Sequence, residues 1–220
     1  MDDLGFRKAN PADLPFLITA VKAAERLGAA GCIDEKIFLL SATEFDALLN
    51  QALSIESDGF QLAQSPFFVC TRGCVPVACC SSWIEAADGV PSGFKMAAVL
   101  SDQLGFEKWM GAKAAIKAFA DATPQRTAGA LQMETFYVEP SCRGKCLTVR
   151  IIDSVIRHFD SFATSAKIAE ITMLEGNAEA LRAYQKAGFH IHRKGDAGNA
   201  LFRTLTGSAG FIQLQKTIDA

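Results

Sequence analysis

The sequence predicts a mixed α/β domain, and three observations carry that expectation. Strand-like and helix-like apolar periods alternate along the 220 residues, and no fixed repeat or low-complexity linker divides them. Apolar residues make up 50% and charged residues 21%, the balance of a chain that buries a core. A chain of this length can build one core with insertions, so residues 1–220 are read as a single domain.

Asn10-Pro11-Ala12-Asp13 places a capping residue before a proline at the first helical position. Leu14, Leu17, Ile18, Val21 and Ala24 then recur at helical spacing, predicting a helix over 11–27. Ser41-Ala42-Thr43-Glu44 is a capping box, and Phe45, Leu48, Leu49, Ala52 and Leu53 mark one face of the second helix. Phe67 to Thr71 and Cys74 to Cys80, continuing to Trp83, read as two strands joined by a turn at Arg72-Gly73.

Residues 86–130 read as a helical insertion between strands. Its second half has an amphipathic period through Phe106, Trp109, Ala112, Ile116 and Ala120. Leu131 to Val138 returns to a strand pattern, followed by a Pro- and Gly-containing loop over 139–145. Leu147, Ile151, Ile152, Val155, Ile156 and Phe159 then mark a helix. A strand over 168–174, a helix over 177–187 closed by Gly188, a strand over 189–193 and, after a turn-rich stretch, a strand over 211–218 complete the order.

Composition excludes several function classes. Lys plus Arg (22) nearly balance Asp plus Glu (24), so no global field recruits nucleic acid or an anionic membrane. The acidic start Met1-Asp2-Asp3-Leu4-Gly5 lacks the parts of a secretory signal, and no apolar run approaches the roughly 20 residues of a membrane span, so a cytoplasmic protein is expected. Seven cysteines, an odd number, fit reduced thiols better than a disulfide framework. Cys70, Cys74, Cys79 and Cys80 lack paired C-x-x-C spacing and sit among apolar neighbours, and His190 and His192 lack partners in a ligand pattern; no metal is expected. Gly144-Lys145 fails as a phosphate-binding P-loop because Glu139 stands at the first glycine position, and no G-x-G-x-x-G follows a strand. G-x-S-x-G and H-E-x-x-H are also absent.

What stands out is the loop Pro140-Ser141-Cys142-Arg143-Gly144-Lys145-Cys146-Leu147-Thr148, which feeds directly into a helix. A helix N-terminus has free N–H groups and attracts anions. Arg143, Lys145 and Arg150, with no acidic residue between 141 and 150, favour a phosphate or pyrophosphate there. The same pattern also suits a helix start with ordinary solvated basic residues. Downstream, Asn177 is a helix cap and Tyr184, seven residues later, lies on nearly the same face, so both can face one ligand.

On these residues the chain resembles the GNAT N-acetyltransferase superfamily, whose members bind acetyl-CoA and acetylate an amine. The resemblance rests on Phe136-Tyr137-Val138-Glu139-Pro140 leading into Arg143-Gly144-Lys145, on Asn177 through Phe189, and on an opening strand and helix from Phe6-Arg7 through Leu14. It implies a central, mostly antiparallel mixed sheet flanked by helices, with the insertion between strands 3 and 4. Acetyl-CoA would lie between the strand ending near Val138 and the strand near Ile171. By the same likeness, the backbone of Arg143, Gly144, Lys145, Cys146, Leu147 and Thr148 would hold the pyrophosphate. The strand at Phe136 and Val138 would splay from its neighbour and bind the pantetheine arm and thioester carbonyl, and Asn177 would contact the cofactor. Tyr184 matches a residue that often protonates the departing thiolate. The family motif Q/R-x-x-G-x-G/A has Gly and then Gly or Ala where this chain has Cys146 and Thr148.

An alkylamine with a pKa near ~10.4 is mostly protonated at neutral pH, so the chemistry needs a base. By the period of two, Gln132, Glu134 and Phe136 share one strand face, making Glu134 the candidate base or a solvated strand residue. The acceptor, a small-molecule amine or a peptide or protein amine, is open. Trp109 and its helix are expected to belong to the core, with a substrate pocket or a homodimer contact as the other roles open to the insertion. Two other readings stand beside this one: a non-catalytic acyl-CoA-binding or regulatory module, suggested by Cys146 and Thr148, and a thiol or metal protein built on the seven cysteines, with bound metal or a reactive Cys142 or Cys146.

Overall fold

The computed structural model describes residues 4–26, 31–161, 166–195 and 198–218. Residues 1–3 and the expected helix end at 27 lie outside them. The strands are β1 (Leu4–Lys8), β2 (Phe67–Arg72), β3 (Val75–Ile84), β4 (Leu131–Val138), β5 (Ile168–Leu174), β6 (His190–Lys194) and β7 (Phe211–Thr217). The helices are α1 (Leu14–Glu25), α2 (Ile33–Ile37), α3 (Ala42–Ala52), α4 (Ser92–Leu104), α5 (Phe106–Gly111), α6 (Lys113–Ala122), α7 (Leu147–Ser161), α8 (Ala178–Lys186) and α9 (Ala200–Thr206).

The strands form one sheet in the order β1-β2-β3-β4-β5-β7-β6. Every neighbouring pair is antiparallel except β4 with β5. The mostly antiparallel sheet and the insertion between β3 and β4 are as expected. Gly73 supplies the left-handed turn residue (φ 58°) of the β2–β3 hairpin.

Apolar side chains on alternate faces of the sheet build two cores. On one face Leu131 and Met133 pack with Leu147, Ile151, Ile152 and Val155 of α7. On the other, Phe67, Val69 and Cys79 pack with Leu17 and Val21 of α1 and Phe45 and Leu49 of α3. The predicted capping box is made: Ser41 Oγ accepts from the Glu44 N–H (3.3 Å), and Glu44 Oε2 accepts from the Ser41 N–H (2.8 Å).

Some features depart from the expectations, among them α2, which no sequence signal marked. The 11–27 helix opens with a 3-10 turn at Pro11–Asp13 before α1 begins. The insertion is helical as expected, and its first half is α4, where only Ser92 and Leu100 of 13 residues are buried, so that half writes little apolar period into the sequence. The turn-rich stretch before the last strand contains α9, whose Phe202 sits fully buried against Phe119 and Phe211. At seven residues, α9 is too short to display a helical repeat.

Candidate active site

β4 and β5 pair only at Leu131↔Ala169 and Gln132↔Glu170, although β4 runs on to Val138 and β5 to Leu174. Beyond Gln132 the two strands part, leaving main-chain groups along the facing edges. Opposite, the β3–β4 register slips by one residue between Ser81↔Glu134 and Cys79↔Tyr137. Thr135 is left-handed (φ 53°) at this slip, which is a β-bulge.

The bulge corrects the expected face-sharing. Phe136 and Val138 pack on the same core as Leu131 and Met133. Glu134 instead bonds Arg126, which lies over the Trp83 ring on the opposite face. Gln132 and Glu134 therefore share a face, and Phe136 does not, because the extra residue at Thr135 reverses the alternation.

A cleft of about 430 Å³ lies against the end of β4, past its last pairing with β5, and Ile171, expected on its far side, is buried in the core and does not border it. Its walls include Phe136 and Val138 of β4, Arg143, Gly144, Cys146, Leu147 and Thr148 at the start of α7, and Asn177 and Tyr184. These expected cofactor residues thus meet at one place, whereas Lys145 and Glu134 do not line the cleft. Ala23 and Ala24 of α1 and Lys186 of α8 also border it, and nothing in the sequence marked them as site residues.

At the cleft mouth Gly144 (φ 77°) and Cys146 (φ 56°) both adopt left-handed backbone. Alternation of this kind turns successive N–H groups toward a common point, which suits an anion. The first intrahelical bond of α7 runs from the Arg150 N–H to the Cys146 carbonyl, so the N–H groups of Leu147, Thr148 and Val149 precede the helical ladder. Of the three basic residues only Arg143 borders the cleft, Arg150 lying over the Phe6 ring; the backbone donors, Arg143 and the strand edge fit a pyrophosphate with an extended arm. The Val138 carbonyl accepts from Arg143 Nε (3.3 Å), while the Glu139 N–H is turned to β3 and donates to the Val77 carbonyl (2.9 Å).

The two thiols of this loop differ. Cys142 is buried beneath the loop near Arg72 Nη2 (3.4 Å), whereas Cys146 is exposed and accepts from Lys186 Nζ (3.1 Å). All seven cysteines are free, five of them buried. No group of three or more His, Cys, Asp or Glu suited to a metal occurs among the described residues.

The left-handed angle at Cys146 gives a reason for glycine at this motif position: a Cβ there costs about 1–2 kcal/mol. Cys146→Gly should therefore raise stability by about 1 kcal/mol after glycine's own entropy is counted, moving Tm up by about 2–4 °C in a thermal scan. An unchanged or lower Tm would contradict the strain.

Tyr184 is buried, with its ring 5.1 Å from that of Phe136. Burial, with smaller contributions from the Cys80 thiol and the Glu134 carboxylate, pushes its phenol well above the ordinary tyrosine value. It carries its proton at neutral pH. Asn177 caps α8 by accepting from the Ala180 N–H (3.1 Å), which leaves its amide donors for a ligand.

Glu134 is largely buried and bound to Arg126, a residue unmarked in the sequence. Arg126 Nε and Nη2 both donate to Glu134 Oε1, at 3.1 and 2.6 Å. Glu134 lies on the sheet face opposite Phe136, yet its charge reaches the Tyr184 phenol across the parted strands.

Known structures carry the same architecture. An N-acetyltransferase from Staphylococcus aureus Mu50 aligns with a TM-score of 0.63 at 14% identity, over 96% of this chain and 100% of that one. A GNAT-family acetyltransferase from Streptococcus pneumoniae aligns at 0.51 and 15%, over 98% and 99%. A protein from Salmonella typhimurium, solved with its cofactor acetyl-CoA, aligns at 0.50 and 15%, over 99% and 95%. No protein-family model and no curated protein matches the sequence. The chain has the fold of the GNAT acetyltransferases.

Proposed function

We propose that this protein is an N-acetyltransferase that moves the acetyl group of acetyl-CoA onto a primary amine by direct attack. The observation that carries the reading is the parting of β4 from β5 beside the basic N-terminus of α7, one cleft bordered by nine of the eleven residues expected to bind cofactor or react. The likeness to acetyltransferases across nearly the whole chain supports it.

The loop from Arg143 to Thr148 would hold the pyrophosphate through its backbone donors, with Arg143 adding charge. Main-chain groups at Phe136 and Val138 would orient the pantetheine arm and the thioester carbonyl. When bound, acetyl-CoA supplies an activated thioester whose C–S bond gives way as the amine nitrogen forms the new C–N bond. Glu134 takes the amine proton, directly or through a water. Tyr184, held protonated by its burial, gives a proton at its hydroxyl to the departing thiolate.

The acceptor is a small-molecule amine or a peptide or protein amine. Calorimetric titration with acetyl-CoA, CoA and ADP tests the cofactor site. Micromolar binding of acetyl-CoA, about −8 kcal/mol, is expected, followed by turnover in an amine screen. Binding without turnover would favour a non-catalytic acyl-CoA-binding module, the reading suggested by the side chain of Cys146 in the loop. No binding at all would overturn both.

In Tyr184→Phe the ring keeps its packing on Phe136, so acetyl-CoA affinity should hold. A thiolate with a pKa near ~8.5 departs readily even without a proton, which limits the expected loss of kcat to about 10²-fold at most. Steady-state kinetics beside calorimetry would check it; weakened cofactor binding would instead assign the hydroxyl to binding.

A further inference from the structure

Arg126 lies in the connection between α6 and β4, outside the cofactor cleft. Its guanidinium is fixed from several sides. Nη1 donates to Ser92 Oγ (3.1 Å), Nη2 also donates to Gln61 Oε1 (3.3 Å), and the group lies 5.3 Å from the Trp83 ring centroid. Ser92 and Trp83 are themselves tied to the buried Glu85 carboxylate, which accepts from the Ser92 N–H and Oγ and from Trp83 Nε1. This frame joins β3, the start of α4 and the segment before β2.

The guanidinium's bond to Glu134 is one-sided. Arg–carboxylate pairs are often two parallel bonds that occupy both oxygens. Here both donors converge on Oε1, and Oε2 accepts no hydrogen bond from the described residues. One oxygen is clamped and the other is left to react.

We propose that Arg126 is a positioning residue: it clamps Glu134 Oε1 in a rigid frame so that Oε2 is the oxygen presented to the acceptor amine. This deepens, and rests on, the acetyltransferase reading. The proton lost by the amine as its nitrogen bonds the acetyl carbon is taken up at Oε2 and later released to solvent. Preset orientation of a reacting group is worth large rate factors, and a displacement of about 1 Å costs about 10²-fold.

The test compares wild type with Arg126→Met, Arg126→Lys, Glu134→Gln and the Arg126→Met/Glu134→Gln double variant. Transfer is followed with the acceptor from the amine screen, and acetyl-CoA hydrolysis stands in where water is the acceptor. Arg126→Met should lower kcat by about 10²-fold, with acetyl-CoA Kd unchanged. Arg126→Lys, which keeps the charge and loses the fork, should recover part of that loss. In the Glu134→Gln background, Arg126→Met should cost nothing further, because its target oxygen no longer takes the proton. Independently of turnover, the Arg126 Nε–H signal in NMR should exchange slowly with solvent in wild type and faster in Glu134→Gln.

An equal loss from Arg126→Met in both backgrounds, or a loss of acetyl-CoA affinity as large as the loss of kcat, would make Arg126 a general scaffold residue and overturn the proposal. Wild-type activity matched by Arg126→Met removes the positioning role alone. A wild type that binds acetyl-CoA but transfers to neither amine nor water overturns the acetyltransferase reading, and the positioning role with it.

Discussion

Glu134→Gln should slow acetyl transfer by about 10²–10⁴-fold at neutral pH while leaving acetyl-CoA affinity within about twofold. The size follows from the acceptor: an amine near pKa ~10.4 is mostly protonated at neutral pH, and a neutral amide cannot take its proton. The selectivity follows from the fold. Glu134 does not line the cleft proposed for acetyl-CoA, and the bulge at Thr135 sends it to the face opposite Phe136. Glutamine keeps the volume and an acceptor oxygen for Arg126, so stability should change little. Initial rates over a range of acceptor concentrations, with calorimetry on the same preparation, decide the matter. A kcat close to wild type would remove Glu134 from proton transfer.

Much of this site was legible because its parts are local. The strand over 131–138, the Pro and Gly loop after it and the helix from Leu147 each declare themselves within a few residues, and chain order makes them meet. The Asn177 cap and Tyr184 follow from one short amphipathic helix. The bulge was missed although it left a trace. Apolar residues occupy 131 and 133 and then 136 and 138, so the alternation changes parity at Glu134-Thr135. That slip is the pattern of one extra residue in a strand. Applying the period of two across it put Phe136 on the wrong face.

Arg126 was not legible for a different reason. Its partners Gln61, Ser92 and Trp83 lie 65, 34 and 43 residues away (126 minus 61, 92 and 83), and no local period encodes such meetings. The same holds for α2 and α9, which at five and seven residues are specified by tertiary packing rather than by their own repeats.

Glu170→Ala should destabilise the protein by about 3–5 kcal/mol, lowering Tm by about 10 °C. Glu170 is fully buried, and its carboxylate accepts from the Thr127 N–H (3.0 Å) and Oγ1 (2.6 Å), and from the side-chain amides of Gln132 (2.8 Å), Gln213 (3.1 Å) and Gln215 (3.2 Å). Alanine would orphan these donors in the interior and leave a void. Burial alone would raise this carboxyl's pKa, but the donors, led by Gln132 and Thr127, outweigh burial and hold it below the ordinary glutamate value.

The sign for pH follows from that depression. The stabilising contribution is complete above the unfolded-state value of about 4.3 and is lost as pH falls through the lower folded-state value. Urea unfolding at neutral and acidic pH should show that acid-side loss in wild type and a smaller one in Glu170→Ala. Equal slopes would mean that other carboxylates govern it.

The position of Glu170 also ties this stability to the proposed activity. Gln132↔Glu170 is the last β4–β5 pair before the strands part, and the same carboxylate gathers side chains from β4, β7 and the connection before β4. It closes the sheet at the last pairing of β4 with β5. Loosening it should let the edges of β4 and β5 move relative to each other, so Glu170→Ala should weaken acetyl-CoA binding even at temperatures where the protein is folded. Calorimetry well below the variant's Tm separates that loss from unfolding: wild-type affinity there would confine Glu170 to stability.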